Sequence, residues 1–170
     1  MTSIHINGVK YFYPSCWEEI TVGLYIKILT EWDTEKDLAD RSYVKLLGLM
    51  IGKDFAGMED TIENQVTLIN AIGWVVFNPF QFSKELPKAL QISREIISIP
   101  QNIKELSIGQ NIHVRRHIES CKVLEQAIPF ACGVYLQPLI DKSKFDLNRA
   151  KIIAKEIEQL PIYLIHPIGF

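Results

Sequence analysis

Residues 18–28 read EEITVGLYIKI and residues 104–114 read KELSIGQNIHV, and this near-repetition is the strongest constraint the chain carries. Sliding the sequence by 86 positions extends the match without a gap from about residue 4 to residue 28. Ile6 falls on Ile92, Pro14 on Pro100, Glu19 on Glu105, Gly23 on Gly109 and Ile26 on Ile112. Apolar pairs such as Ile4 with Leu90 and Ile20 with Leu106 fill the intervals. An offset of about half the 170 residues is what a tandem duplication leaves. The expected organisation is therefore two related units, 1–85 and 86–170, with separate cores or one shared core. The stretch NPFQFSKELPK, at 78–88, is the expected linker.

Each copy has a local physical logic. IHINGVKYFY alternates around Asn-Gly, the dipeptide that most readily supplies the positive φ of a tight turn, and so predicts a β-hairpin. LQISREIISI alternates too, but Ser93-Arg94 occupies the turn, which predicts a looser hairpin or a single strand. Pro14 and Pro100 then end the pairing, because proline lacks a ladder donor. Thr21 and Ser107 stand where helices should begin, and Ser107 with Gln110 makes a capping box. Gly23 and Gly109 predict a close approach of another backbone to the first helical turn.

The remainder is helical in pattern, giving an α+β, predominantly α-helical fold class. Helices are predicted over 22–32, over SYVKLLGLMIG up to Gly52, and over 60–77 starting at Asp60. In the second half they are predicted over 108–127, over about 129–140 between breaks at Pro129 and Pro138, and over 145–160. That last helix carries a stripe of Leu147, Ile152, Ile153, Ile157 and Leu160.

Composition narrows the function classes. A net charge of −2 with dispersed Lys and Arg gives no electrostatic case for nucleic acid. The charge is uneven, however, since residues 1–85 have 7 Lys/Arg and 12 Asp/Glu, or −5, and residues 86–170 have 11 and 8, or +3. Cys16, Cys121 and Cys132 form no CxxC pair, which suits free thiols. The start MTSIHINGVK has no signal-peptide pattern, and no apolar run reaches the roughly 18 residues of a membrane span.

The sharpest candidate for chemistry is His113, His117 and Cys121, four apart on one helical face, a spacing that can hold zinc. HVRRH lacks the glutamate of HExxH, and no fourth ligand is apparent. With Val114, Ile118, Leu124 and Ile128 nearby in the pattern, a core histidine and thiol are the favoured reading, and a small enzyme or metal-binding domain the alternative. A regulatory module holding a small ligand between the repeats is a further alternative. No GxSxG, Walker A or dinucleotide pattern occurs, and the acidic run Glu31, Asp33, Glu35 and Asp37 reads as solvated charge. No catalytic residue and no cofactor is assigned. Apolar and aromatic side chains near element ends are the partner-binding candidates: Trp17, Trp32 and Trp74, with Tyr163, Ile165, Ile168 and Phe170 of PIYLIHPIGF.

Four stretches, Trp17–Ile28, Leu46–Phe77, Glu105–Ile118 and the tail Phe145–Phe170, together resemble helical proteins encoded among the virion and tail genes of crAss-like phages that infect Bacteroides, often described as tail-assembly-chaperone-like. The resemblance lies in hydrophobic spacing around WEEIT, LLGLMIG and ELSIGQ. It implies a non-enzymatic phage structural or assembly protein in tail, neck or capsid interior, or a tail assembly chaperone. Its partners would be other phage structural proteins or further copies of itself. It would reside in the host cytoplasm during assembly and then, for a virion component, in the particle.

Overall fold

The computed structural model describes residues 2–6, 8–32, 43–55, 58, 61–78, 80–81, 85–92, 94–100 and 106–169. The fold is α+β and predominantly helical, and its two halves open with the same supersecondary phrase. Strand β1 (Thr2–Ile6) pairs antiparallel with β2 (Val9–Tyr13), placing Ile4 opposite Tyr11 and Ile6 opposite Val9. Strand β3 (Ala89–Ile92) pairs with β4 (Glu95–Ser98), placing Leu90 opposite Ile97 and Ile92 opposite Glu95. Subtracting 86 from 90, 97, 92 and 95 returns 4, 11, 6 and 9, so the two hairpins share one register. Alternation explains that constancy: Ile4, Ile6, Leu90 and Ile92 are all buried, and a slip of one residue would expose each set.

The second hairpin is therefore tight, not loose. Gly8 turns the first at φ +77°, and Arg94 takes the equivalent position at φ +68°. A left-handed arginine costs about 1–2 kcal/mol relative to glycine. Pairing and burial of the flanking strands offset that cost.

Helix α1 (Val22–Glu31) and helix α5 (Ile108–Ser120) begin directly after Thr21 and Ser107, at the same 86-residue spacing. The contacts at their starts differ. At α5 the capping box is complete: the Ser107 amide donates to Gln110 Oε1 (3.0 Å) and the Gln110 amide to Ser107 Oγ (3.4 Å). At α1, Thr21 forms an antiparallel bridge with Pro161, and the Val22 and Gly23 amides donate to the carbonyls of Leu160 and Glu158, each at 2.9 Å.

Compactness divides the chain into Met1–Ile20 with Leu24–Gln81, and Thr21–Gly23 with Phe82–Phe170. The division falls at 81/82, earlier than the 85/86 expected from the repeat. In the first unit, α2 (Tyr43–Ile51) ends where Gly52 adopts φ +74° and donates to Gly48 O at 2.8 Å. Helix α3 (Ile62–Ile72) is capped by Thr61, whose hydroxyl accepts from the Asn64 amide; Asp60, the expected start, lies outside the described residues. The expected helix over 60–77 is interrupted at Gly73, after which α4 (Trp74–Phe77) resumes. A Cβ at Gly73 would clash with Ile69 O and the Phe77 ring, so that ring occupies the space a side chain would need. Leu46, Leu47 and Ile72 are fully buried. Trp17 packs edge-on against Trp74 (5.2 Å between centroids), and its indole N–H donates to Asn78 O (2.7 Å).

In the second unit the helix expected over 108–127 stops at Ser120, and a 3-10 turn at Leu124–Ala127 leads into α6 (Ile128–Asp141). Pro129 sits in the first turn of α6, where a missing amide costs nothing. Pro138 does not break the helix as expected. Its missing amide would have bonded the Val134 carbonyl four residues back, and that carbonyl instead accepts from Gln110 Nε2 at 3.0 Å. One glutamine therefore closes the cap of α5 and satisfies the acceptor that a proline orphaned in α6.

Helix α7 (Leu147–Ile157) packs against α6 through small residues. A Cβ at Gly133 would clash with Ala150 O and come within 3.1 Å of Ala154 N. Ile153 and Ile157 face inward as predicted, but Ile152 is half exposed. The α6–α7 connection is held by Gln137, fully buried, whose amide nitrogen donates to Asp141 Oδ2 (3.1 Å) and whose oxygen accepts from the Asp146 amide (2.9 Å). Helix α8 (Ile162–Gly169) follows.

Candidate functional site

Helix α5 has no fully buried residue, and this alters the reading of His113, His117 and Cys121. Ile108 and Ile112 are exposed, as are Ile118 and Leu124. The histidines and Cys121 are half-buried, so they line a surface and do not sit in a core. His117 tilts against Phe130 at 4.5 Å between centroids and His113 against Phe145 at 5.9 Å. Cys121 has left the helix as its C-cap, where its thiol donates to the His117 carbonyl (3.2 Å). Among the described residues, no three His, Cys, Asp or Glu side chains are grouped to hold a metal ion.

What the histidines line is a groove of about 490 Å³ within the second unit. One wall is α5, with His113, Arg116, His117 and Ser120. The opposite wall is α7, with Lys151, Ala154, Lys155 and Glu158. Pro129, Phe130 and Leu147 form the floor. Arg116, Lys151 and Lys155 are exposed, and among the described residues none is in an ion pair. The walls thus carry three cations against one carboxylate over an apolar floor.

Two signals in the sequence pointed here without being combined. The excess positive charge of residues 86–170 is one, and the other is the alternation of Lys151 and Lys155 with Ile153 and Ile157, which sets lysines a turn apart on an outward face. That α7 lies beside HVRRH is tertiary information, because Gly133, Ala150 and Ala154 permit the close α6–α7 contact behind it.

The aromatic and apolar partner-binding candidates separate into two groups. Trp32, Ile165 and Ile168 are buried, so in this conformation they serve the chain's own packing. Trp17 and Trp74 are half-buried and meet edge to face; Tyr163 is exposed, and Phe170 lies outside the described residues. Sequence reading missed a different apolar feature, on α3 and α4. Ile62, Val66, Ile69 and Phe77 are 81%, 52%, 37% and 66% exposed. At 100° per residue Ile62, Val66 and Ile69 fall within about 60° of one another, beside the buried side of Leu68 and Ile72, and Phe77 follows on α4 beyond the interruption at Gly73.

The three thiols share a direction. Burial pushes Cys132 up to about 12, and it raises Cys121. Cys16 is raised mainly by its hydrogen bond with the Glu18 side chain, with burial adding. None is shifted towards the thiolate that a nucleophile requires.

No helix among the described residues is long and apolar enough to cross a membrane. Compared with known proteins, the chain matches no family model, no curated protein and no solved structure.

Proposed function

We propose that the chain is a non-enzymatic bacteriophage structural or assembly protein that works by protein–protein binding. The observation that carries this reading is the apolar stripe of Ile62, Val66 and Ile69 along α3, with Phe77 exposed on the helix that follows. Contiguous apolar surface on one helical face is the usual mark of a protein contact, since covering it removes apolar area from water. The phage setting rests on the resemblance of Trp17–Ile28, Leu46–Phe77, Glu105–Ile118 and Phe145–Phe170 to proteins encoded among virion and tail genes. Partners are then other phage structural proteins or further copies of the chain.

Mass spectrometry of gradient-purified phage particles, with affinity capture from infected cytoplasm, tests the reading. Peptides of the chain in particles mark a virion component of tail, neck or capsid interior. Capture of a tail protein from cytoplasm, with no copies in particles, marks a tail assembly chaperone. Absence from particles together with capture of no structural protein would sink both. Ile62→Glu with Val66→Glu is expected to abolish the capture.

A further inference from the structure

We infer that the groove between α5 and α7 is a second docking site, and that its occupant is an acidic, amphipathic segment of a partner protein. The inference rests on the protein-binding reading above and names the chemistry of one contact. Three observations select the occupant. Arg116 stands on one wall and Lys151 and Lys155 on the other, and the two lysines are four residues, about one helical turn, apart. Such rows match carboxylates repeating at a similar interval along a peptide. The floor of Pro129, Phe130 and Leu147 is apolar, which a peptide with leucine-type side chains on the facing side would cover. The cations are exposed, so they meet extended, hydrated charge and do not form the enclosed pocket of a single small anion.

Nucleic acid fits less well. Its single-stranded form needs aromatic faces on which bases stack, whereas Phe130 is buried beneath His117. Glu158 on the α7 wall would also repel a continuous phosphate backbone.

The test uses the full chain and a fluorescein-labelled helical peptide of about four turns, with glutamate at every fourth position and leucines on the adjoining face. Anisotropy titration at low salt is expected to saturate, and raising the salt to about 0.5 M should weaken binding several-fold. Charge reversal by Arg116→Glu with Lys151→Glu is expected to weaken binding about tenfold or more. Lys142→Glu with Lys144→Glu makes the same charge change on residues that do not line the groove, and should alter affinity less than about twofold. Replacing the peptide's leucines by serine should also cost affinity, which salt dependence alone does not require. Because the reversed side chains are exposed, circular dichroism of the variants is expected to match the parent. The inference is overturned by failure of the peptide to saturate at millimolar concentration, or by equal losses in the two charge-reversal variants. It is equally overturned if a single-stranded dT oligomer binds more tightly than the peptide. Loss of peptide binding with capture through the α3 stripe intact removes the groove and leaves the wider function standing; the reverse outcome does the opposite.

Discussion

Gly23 and Gly109 occupy the same place in the repeat, the second residue of a helix, yet replacing each with alanine should move stability in opposite directions. The intrinsic gain is shared, since alanine is favoured over glycine in a helix and the unfolded chain loses freedom, together about 0.5–1 kcal/mol. At Gly109 an added Cβ meets nothing within 4 Å, so Gly109→Ala should realise that gain. At Gly23 the Cβ would lie 3.1 Å from Glu158 O, the atom that accepts the Gly23 amide at 2.9 Å. Relieving the contact stretches that hydrogen bond and shifts backbone, at a cost of about 1–2 kcal/mol. Gly23→Ala should therefore be destabilising by up to about 1.5 kcal/mol, and because the intrinsic gain is common to both, the two variants should be separated by the contact cost, about 1–2 kcal/mol. Both glycines belong to the second unit, as does the buried thiol of Cys132. The natural readout is thus urea-dependent labelling of Cys132, alongside far-ultraviolet circular dichroism with the m-value held as a check. If the two midpoints move the same way, the close approach at Gly23 is not a stability determinant and the argument from the Glu158 carbonyl is wrong.

Other consequences follow from named contacts. Gln110→Leu should cost about 1–3 kcal/mol by leaving the Val134 carbonyl without its donor and opening the α5 capping box, and less in a Pro138→Ala background, where the restored helical amide bonds that carbonyl and only the cap is lost. A double-mutant cycle giving additive losses would show that the two sites are not linked. Gln137→Leu should destabilise by a similar amount, because the Asp146 amide and Asp141 carboxylate both lose a buried partner; a midpoint within experimental error of the parent would contradict this. For Cys132, burial raises the folded thiol from 9.0 to about 12, so its stabilising contribution is complete below about pH 9 and is lost as pH rises towards 12. The amount at stake is on the order of 4 kcal/mol, and the alkaline fall in melting temperature should be shallower in Cys132→Val. For His166 burial acts in the opposite sense, lowering the folded value below 6.5 although Glu125 opposes the shift. Its contribution is present above pH 6.5 and lost as pH falls, so His166→Phe should flatten the acid limb of the stability curve, as read by thermal melts between pH 7 and 5.

The sequence by itself determined the local grammar of the protein. Asn-Gly and strict alternation marked the first hairpin, the 86-residue offset marked a second extended segment at 90–98, and Thr21 and Ser107 marked two helix starts; that the second segment is a tight hairpin in the same register was decided by its pairing. Gly52 ended α2, as its position after an apolar run implied. These features are decided within a few residues, by φ preferences, missing amides and side-chain oxygens near backbone donors. Tertiary structure decided everything that depends on what a segment meets. Arg94 accepts a left-handed conformation because the strands on either side of it pair and bury. Pro138 stays inside a helix because Gln110, 28 residues earlier, donates to the carbonyl it orphaned. Gly23 has a neighbour and Gly109 has none, although the sequence writes them alike. The same holds for surfaces. HVRRH resembled a buried or metal-binding face until α7 set Lys151 and Lys155 opposite it. An amphipathic pattern records which side of a helix is apolar, but only the packed chain determines whether that side is covered.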